Sequence, residues 1–267
     1  MPRPLLGQHF LKDRDVVKKI VAALGMERGD VVFEIGPGHG ELTEALADAC
    51  GKSGAELFAV EKDGVLAEEL ARRFAARGAA AHIISGDARE VLTPPFIKEK
   101  TSGRPYRMVG NIPYYLTGNF LHAISGFAAM PARCVFMLQK EVAERITAEP
   151  PRMNRLAASV QFWAQPKIIA AVPKENFAPA PGVDSAVVAF ETRASADCKP
   201  AVAAQRYYAA VRALFAQPRK TAANNLAAAT KDKEKNIAAM KRLGIDPSCR
   251  PQNLAITQIG LIAEALF

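Results

Sequence analysis

The fold is decided by one stretch of the chain, Val31-Val32-Phe33-Glu34-Ile35-Gly36-Pro37-Gly38-His39-Gly40. Its first half has the composition of a short buried strand, and its second half is a turn rich in glycine. The residues from Glu41 to Ala49 then have the spacing of an amphipathic helix. A strand, a glycine-rich turn and a helix in this order open a Rossmann-like unit, so we expect an α/β fold.

The alternation of short apolar runs with helical segments continues along the chain. We expect further helices at residues 13–24, 64–76 and 139–147, and further strands at residues 56–60, 81–85, 106–110 and 133–138. Strands that alternate with helices predict a mostly parallel, doubly wound sheet. A last strand, at residues 185–191, is expected to close this sheet.

The C-terminal part has a different character. Residues 193–200 are typical of a linker, and helices are expected near residues 204–215, 219–230, 233–243 and 257–266. We therefore expect a first, α/β domain over residues 1–193 and a small all-α domain over residues 194–267. From residue 194 onward there are 11 Lys and Arg against 5 Asp and Glu, whereas the preceding residues have 24 against 22. This uneven charge indicates a polyanionic partner, most plausibly nucleic acid.

Composition excludes several classes of protein. The 267 residues are 49% hydrophobic and 23% charged, as in ordinary globular proteins. The sequence has neither a stretch of about 18 apolar residues nor a signal-peptide pattern, so we expect a cytoplasmic protein without a membrane span. The four cysteines are widely scattered, and they suggest neither a disulfide framework nor a zinc site.

Several ligands could use the glycine-rich turn. Its spacing is G-x-G-x-G, whereas sites for nicotinamide dinucleotides prefer G-x-G-x-x-G. Residues 51–53 (GKS) resemble the end of a phosphate-binding loop, but Leu46 stands where that loop requires its first glycine. S-adenosylmethionine remains as a nucleoside cofactor with a ribose and no phosphate. Glu61 and Asp87 follow successive strands, and they could bind its ribose and its adenine amine.

A second turn, Asn111-Ile112-Pro113-Tyr114, follows the strand at residues 106–110. Proline pushes Ile112 into an extended conformation. The Asn111 side chain and the Ile112 carbonyl could then offer two acceptor oxygens to the exocyclic amine of adenine, with Tyr114 stacked on the base. A plain turn with a buried tyrosine is the alternative for these four residues alone.

Five motifs resemble those of the rRNA adenine N6-dimethyltransferases. They are residues 8–11 (QHFL), 34–40 (EIGPGHG), 111–114 (NIPY), 137–142 (MLQKEV) and 177–188 (FAPAPGVDSAVV). Residues 217–221 (QPRKT) and 243–247 (LGIDP) are similar to the C-terminal part of the bacterial branch that modifies small-subunit rRNA. The resemblance implies a class I methyltransferase that places two methyl groups on N6 of each of two adjacent adenosines near the 3′ end of 16S rRNA.

The resemblance also implies roles for individual residues. It places Phe177 as the aromatic ring that stacks on the target base opposite Tyr114, beside Asn111 and Ile112. It implies S-adenosylmethionine as methyl donor and a helical domain that docks on 16S rRNA in the small ribosomal subunit. We also expect a monomer, and no metal ion because a sulfonium is already a good leaving group. The residues that the resemblance implies for cofactor binding are His9, Leu11, Gly36, Gly38, Glu61, Asp87, Ala88 and Asn111.

Three other functions stay open at this point. A non-catalytic assembly factor or RNA-binding module would need neither the glycine-rich turn nor Glu61, Asp87 and the residue 111–114 motif. A methyltransferase of large-subunit rRNA is disfavoured by the C-terminal motifs. A small-molecule methyltransferase would leave the basic helical part unexplained.

Overall fold

The computed structural model describes residues 9–78, 81–112, 117–127, 129–193 and 201–267, with side chains from residue 204 onward in the last range. Strands in these ranges are β1 (Phe10–Leu11), β2 (Val31–Ile35), β3 (Glu56–Glu61), β4 (Ala81–Ser85), β5 (Tyr106–Asn111), β6 (Arg133–Gln139), β7 (Ala164–Val172), β8 (Phe177–Ala178) and β9 (Ser185–Thr192). Helices are α1 (Arg14–Leu24), α2 (Glu41–Ser53), α3 (Gly64–Ala76), α4 (Ala88–Val91), α5 (Pro94–Thr101), α6 (Thr117–Ile124), α7 (Lys140–Ile146), α8 (Arg155–Gln161), α9 (Ala201–Leu214), α10 (Ala222–Thr230), α11 (Lys233–Arg242) and α12 (Ile256–Leu266).

Seven strands form one sheet in the order β4-β3-β2-β5-β6-β9-β7. The first five of these strands run parallel, while β9 pairs antiparallel with β6. The strand order reverses direction at β2, because β3 and β5 lie on its two sides. In open α/β sheets, ligands bind beside such a switch point at the carboxyl ends of the strands. The expected doubly wound, mostly parallel sheet is confirmed.

The expectation that the strand at residues 185–191 closes the sheet is wrong. Strand β9 lies between β6 and β7, and β7 forms the edge. The β7 residues Lys167, Ile168 and Ile169 are exposed, so β7 lacks the apolar alternation of a half-buried strand. An edge strand exposed in this way gives only a weak signal in the sequence.

Apolar side chains fill both faces of the sheet. On one face α1, α2 and α3 pack on the strands. Each of these helices contributes a buried side chain to the cluster there, namely Leu24, Leu46 and Phe74. On the other face Phe33 lies 5.7 Å from the rings of both Phe58 and Tyr106. Burial on both faces accounts for the continuous apolar runs of the parallel strands. It also fixes the carboxyl ends of these strands at one edge.

Residues 9–12 pair with a segment that is distant along the chain. Strand β1 pairs antiparallel with β8, with Leu11 opposite Phe177 and Phe10 opposite Ala178. The side chain of Asp13 caps α1, as its position before the helix predicts, by accepting from the backbone N–H groups of Asp15 and Val16. This pairing holds the N-terminal segment beside the glycine-rich turn.

The contacts divide the chain into two compact units. One unit contains the described residues up to Ala143 together with Pro166–Thr192, and the other contains Glu144–Gln165 with the described residues from Arg193 onward. The division expected from the sequence, at residues 193 and 194, places residues 144–165 in the first domain instead. They group with the second unit because Ala157 and Ala158 of α8 belong to the apolar cluster of the C-terminal helices.

Candidate active site

A cavity lies at the carboxyl edge of the parallel strands, and Gly36 and Gly38 form part of its wall. Gly38 has a φ of +59°, and a Cβ atom there would stand 2.7 Å from Cε1 of Phe10. Any larger residue at Gly38 is therefore strained in its backbone and collides with the N-terminal segment. The turn exposes backbone to the cavity where a ligand can approach closely.

Glu61 ends β3 and is connected to the glycine-rich turn. Its Oε2 atom accepts a 2.9 Å hydrogen bond from the backbone N–H of Gly38, and its Oε1 atom accepts one of 2.9 Å from that of Asp63. Each carboxylate oxygen has a second acceptor position. The carboxylate is thus held in place by the backbone and can still accept from two adjacent hydroxyl groups.

Asp87 and Ala88 line the same cavity after strand β4. The Asp87 side chain caps the short helix α4 by accepting from the backbone N–H of Arg89. It also accepts from the side chain of Arg89 and forms an ion pair with Lys62. The Arg89 side chain is the main reason that the pKa of Asp87 lies below its usual range. Asp87 is therefore ionised, but cationic side chains already bind it.

Asn111 ends β5 and lines the cavity between the N-terminal segment and β6. Its Nδ2 atom donates a 2.8 Å hydrogen bond to the carbonyl of His9. Oδ1 of Asn111 receives no hydrogen bond from any residue in the described ranges. The backbone N–H of Ile112 donates to the carbonyl of Met137 at 3.3 Å, which ties the start of the following turn to β6. The orientation of the Asn111 amide thus leaves its oxygen available as an acceptor.

His9 and Leu11 both lie on the cavity wall, where the resemblance places cofactor contacts. His9 Nδ1 is 2.8 Å from the carbonyl oxygen of Pro179, so this side chain also connects the N-terminal segment to the loop after β8. Leu11 is buried and belongs to the apolar cluster beneath the cavity. Leu11 therefore serves packing as well as the cavity wall.

The two aromatic rings expected to hold a base are placed differently from one another. Tyr114 lies outside the described residues. Phe177 is 4% exposed, packs in the same apolar cluster as Leu11, and is not among the described residues that line the cavity. The stacking role of Phe177 stays a prediction, and it requires the ring to become accessible.

Glu34, the fourth residue of β2, is a cavity residue for which the sequence pattern predicts no role. Glu34 is 1% exposed, lines the cavity, and has an Oε2 atom without a hydrogen-bond partner in the described part of the chain. Burial, together with a smaller contribution from the neighbouring charge of Glu61, raises its pKa to about 8. The hydroxyl of Thr43 opposes the rise, although it lies outside hydrogen-bond geometry. A carboxyl in the middle of an apolar strand was the available signal.

The set of groups is suited to a neutral or cationic nucleoside ligand. Most of the wall is apolar, and its acidic side chains outnumber its cationic ones, Lys62 and Arg89. No group of three His, Cys, Asp or Glu side chains among the described residues could hold a metal ion. No helix in the described ranges is long and apolar enough to cross a membrane. Ribose hydroxyls suit Glu61, and an adenine amine suits Asp87.

Comparison with known proteins decides the family. A family model described as ribosomal RNA adenine dimethylase matches residues 2–266. The chain belongs to the ribosomal RNA adenine dimethylase family. This confirms the resemblance drawn from the five motifs.

Individual members of the ribosomal RNA adenine dimethylase family and solved structures agree with this. Ribosomal RNA small subunit methyltransferase A of Pelotomaculum thermopropionicum is 38% identical over 279 residues, which cover 100% of this chain and 92% of that protein. A dimethyladenosine transferase from Plasmodium falciparum has a TM-score of 0.79 at 22% identity, covering 95% of this chain and 96% of that one. The 23S rRNA methyltransferase ErmE has a TM-score of 0.76 at 24% identity, covering 96% and 99%. At these identities the two structures show the fold alone.

Proposed function

We propose that the protein is an S-adenosylmethionine-dependent enzyme that dimethylates N6 of two adjacent adenosines near the 3′ end of 16S rRNA. Membership of the ribosomal RNA adenine dimethylase family supports the reaction. The choice of the small subunit is supported by the printed name of the 38% identical relative, which covers the whole of this chain. The proposed enzyme acts as a monomer in the cytoplasm, where ribosomal subunits are assembled.

The observation that carries the proposal is the hydrogen bond from Asn111 Nδ2 to the His9 carbonyl. Because the amide nitrogen is already used as a donor, Oδ1 is the atom left to face a ligand. An acceptor at this position suits an exocyclic amine, whose N–H groups need a partner. The carbonyl of Ile112, the next residue, supplies the second acceptor.

Glu61 and Asp87 hold the cofactor in this proposal. S-adenosylmethionine supplies a methyl group on a sulfonium sulfur, which is a good leaving group. The second acceptor positions of the Glu61 carboxylate take the ribose hydroxyls, and Asp87 takes the adenine amine. Gly36, Gly38 and Ala88 allow the ligand to approach the backbone, and His9 and Leu11 cover it.

The target adenine needs orientation more than it needs acid or base catalysis. Its N6 lone pair is delocalised into the ring, and hydrogen bonds to Asn111 Oδ1 and the Ile112 carbonyl draw the nitrogen toward a tetrahedral geometry. Tyr114 and Phe177 stack on the two faces of the base, at about 1–3 kcal/mol for each base stacked. This offsets the few kcal/mol that extrusion of the base costs. The proton on N6 leaves to water after methylation.

The all-α second domain, over residues 194–267, docks on the rRNA. Its excess of Lys and Arg supports contact with phosphates, and such contacts weaken steeply as salt concentration rises. Folded rRNA is recognised chiefly by its shape. Binding to small subunits that does not change with salt would contradict this part of the proposal.

The test is the Asn111→Ala variant, assayed with small subunits that lack the modification. We expect the variant to keep part of its affinity for S-adenosylmethionine and to lose most methyl transfer, at least about a hundredfold, because donors and acceptors aimed at the reacting atom contribute this much. Asp48→Ala is the control, since Asp48 is exposed on α2, outside the helical domain, and does not line the cavity. Methylation by Asn111→Ala at the rate of the unaltered protein would refute the role of Asn111. Tight rRNA binding without methylation by either protein would favour the non-catalytic assembly factor.

A further inference from the structure

The carboxylate of Asp87 is contacted by Arg89, two residues further along the chain, and by Lys62, which directly follows β3. Its Oδ1 atom accepts from the backbone N–H of Arg89 and from Arg89 Nε, both at 3.0 Å. Its Oδ2 atom accepts from Arg89 Nη2 at 2.7 Å and forms an ion pair with Lys62 Nζ at 3.1 Å. The two charged side chains line the same cavity as Asp87.

Three hydrogen bonds and one ion-pair contact occupy this carboxylate. An ionised carboxylate has about four lone-pair positions, two on each oxygen. Oδ1 of Asp87 accepts two hydrogen bonds, whereas Oδ2 accepts one and has Lys62 Nζ in contact at its other position. A further donor can bind only if one of the present donors leaves.

The adenine amine of the cofactor cannot bind the Asp87 carboxylate while these contacts are in place. Resting on the proposed function, we propose that the Arg89 side chain competes with the adenine amine for Asp87, so that the cofactor binds by exchange with Arg89. Arg89 is thereby a residue that sets cofactor affinity from the rim of the cavity.

Departure of the Arg89 side chain opens both oxygens to the incoming amine, because this side chain holds one position on each. The side chain is 43% exposed, so a rotation of χ angles carries the guanidinium into solvent, where water replaces the hydrogen bonds. The backbone N–H of Arg89 stays on Oδ1, since it belongs to the cap of α4. Lys62 is similarly exposed, but its single contact blocks only one position on Oδ2. Loss of the Arg89 side chain therefore frees one position on each oxygen.

Ionic strength distinguishes this exchange from ordinary ligand binding. Salt weakens the half-exposed ion pair between Arg89 and Asp87, because mobile ions screen exposed charges. Screening the pair lowers the free energy needed to open it. The penalty that Arg89 imposes on cofactor binding should therefore be largest at low salt and should shrink as salt is added.

The test compares Arg89→Leu with the unaltered chain by isothermal titration calorimetry. S-adenosylhomocysteine is the probe, because it retains the adenosine and lacks the sulfonium charge, which would add its own dependence on salt. Arg72→Leu is the matched control, since Arg72 is an exposed arginine on α3 that does not line the cavity. Titrations at about 20 mM and about 500 mM salt span strong and weak screening.

At low salt we expect Arg89→Leu to bind the probe about three- to five-fold more tightly than the unaltered chain, the range that one exposed ion pair can supply. The difference should fall below about twofold at high salt, and Arg72→Leu should match the unaltered chain throughout. Equal or weaker binding by Arg89→Leu at low salt would overturn the exchange while leaving the proposed function standing. Absence of binding by both proteins would overturn the proposed function and the exchange together.

Discussion

The buried carboxyl of Glu34 makes stability depend on pH in a way that can be worked out from the structure. Its pKa is about 8 in the folded protein, against 4.5 for an ordinary glutamate. Between these two values the unfolded chain releases the Glu34 proton while the folded chain retains it. The unfolded state is therefore stabilised relative to the folded state as pH rises, and the free energy of unfolding falls.

Between the two pKa values, the free energy of unfolding falls by about 1.4 kcal/mol for each unit of pH. At pH 7 the retained proton destabilises the folded protein by about 3 kcal/mol relative to a neutral side chain of the same shape. Glu34→Gln removes the titration and keeps the volume. We expect the variant to be more stable than the unaltered chain by up to about 3 kcal/mol at pH 7, and by almost nothing at pH 4.5.

Urea denaturation followed by circular dichroism, without cofactor, measures this difference at several values between pH 5 and pH 8. Glu69→Gln is the control, because Glu69 is an exposed glutamate on α3. The difference in free energy of unfolding between Glu34→Gln and the unaltered chain should grow steadily with pH, and that for Glu69→Gln should stay flat. A difference for Glu34→Gln that is independent of pH would refute the reasoning, and so would one that falls with pH.

Two further predictions concern an aromatic ring and a buried amide. Phe177→Leu keeps an apolar side chain in the cluster, so we expect a loss of stability below about 1.5 kcal/mol in urea denaturation. The lost stacking should lower rRNA methylation more than about tenfold in a methyl-transfer assay, and unchanged methylation would contradict the stacking role. Asn225→Ala removes four hydrogen bonds to the backbone of residues 217–221. We expect this to cost about 2–3 kcal/mol of stability in urea denaturation. A loss no larger than that of Asn224→Ala, at the exposed neighbouring asparagine on α10, would contradict this prediction.

The parallel strands could be predicted because their signal is local. Strand β2 is an apolar run that ends at glycine, and the runs of β3, β4 and β5 end at polar or glycine residues in the same manner. Once the strands are parallel, their last residues must meet at one edge of the sheet. The approximate positions of Glu61, Asp87 and Asn111 follow from this alone.

Other elements depend on contacts distant in the chain. Strand β7 has no apolar alternation because three successive residues in its middle, Lys167, Ile168 and Ile169, are exposed at the edge of the sheet. Helix α8 has only seven residues and is rich in alanine, and it gains its burial from the cluster that includes Tyr207 and Val211. Neither feature is visible in a window of neighbouring residues.

The protonation states and ion pairs of the site also could not be predicted from the sequence. That Glu34 holds a proton depends on its burial beside Glu61 and Thr43. That Asp87 already has cationic partners depends on the side-chain positions of Arg89 and Lys62. The sequence shows which acids are present but not which positions on them are free.

The most direct test of the proposed function is to incubate the protein with labelled S-adenosylmethionine and small subunits that lack the modification, and then to map the methylated nucleotides. We predict N6,N6-dimethyladenosine at two adjacent positions near the 3′ end of 16S rRNA and at no other site. Label on large-subunit rRNA in a parallel incubation, or none on small subunits to which the protein binds, would contradict it.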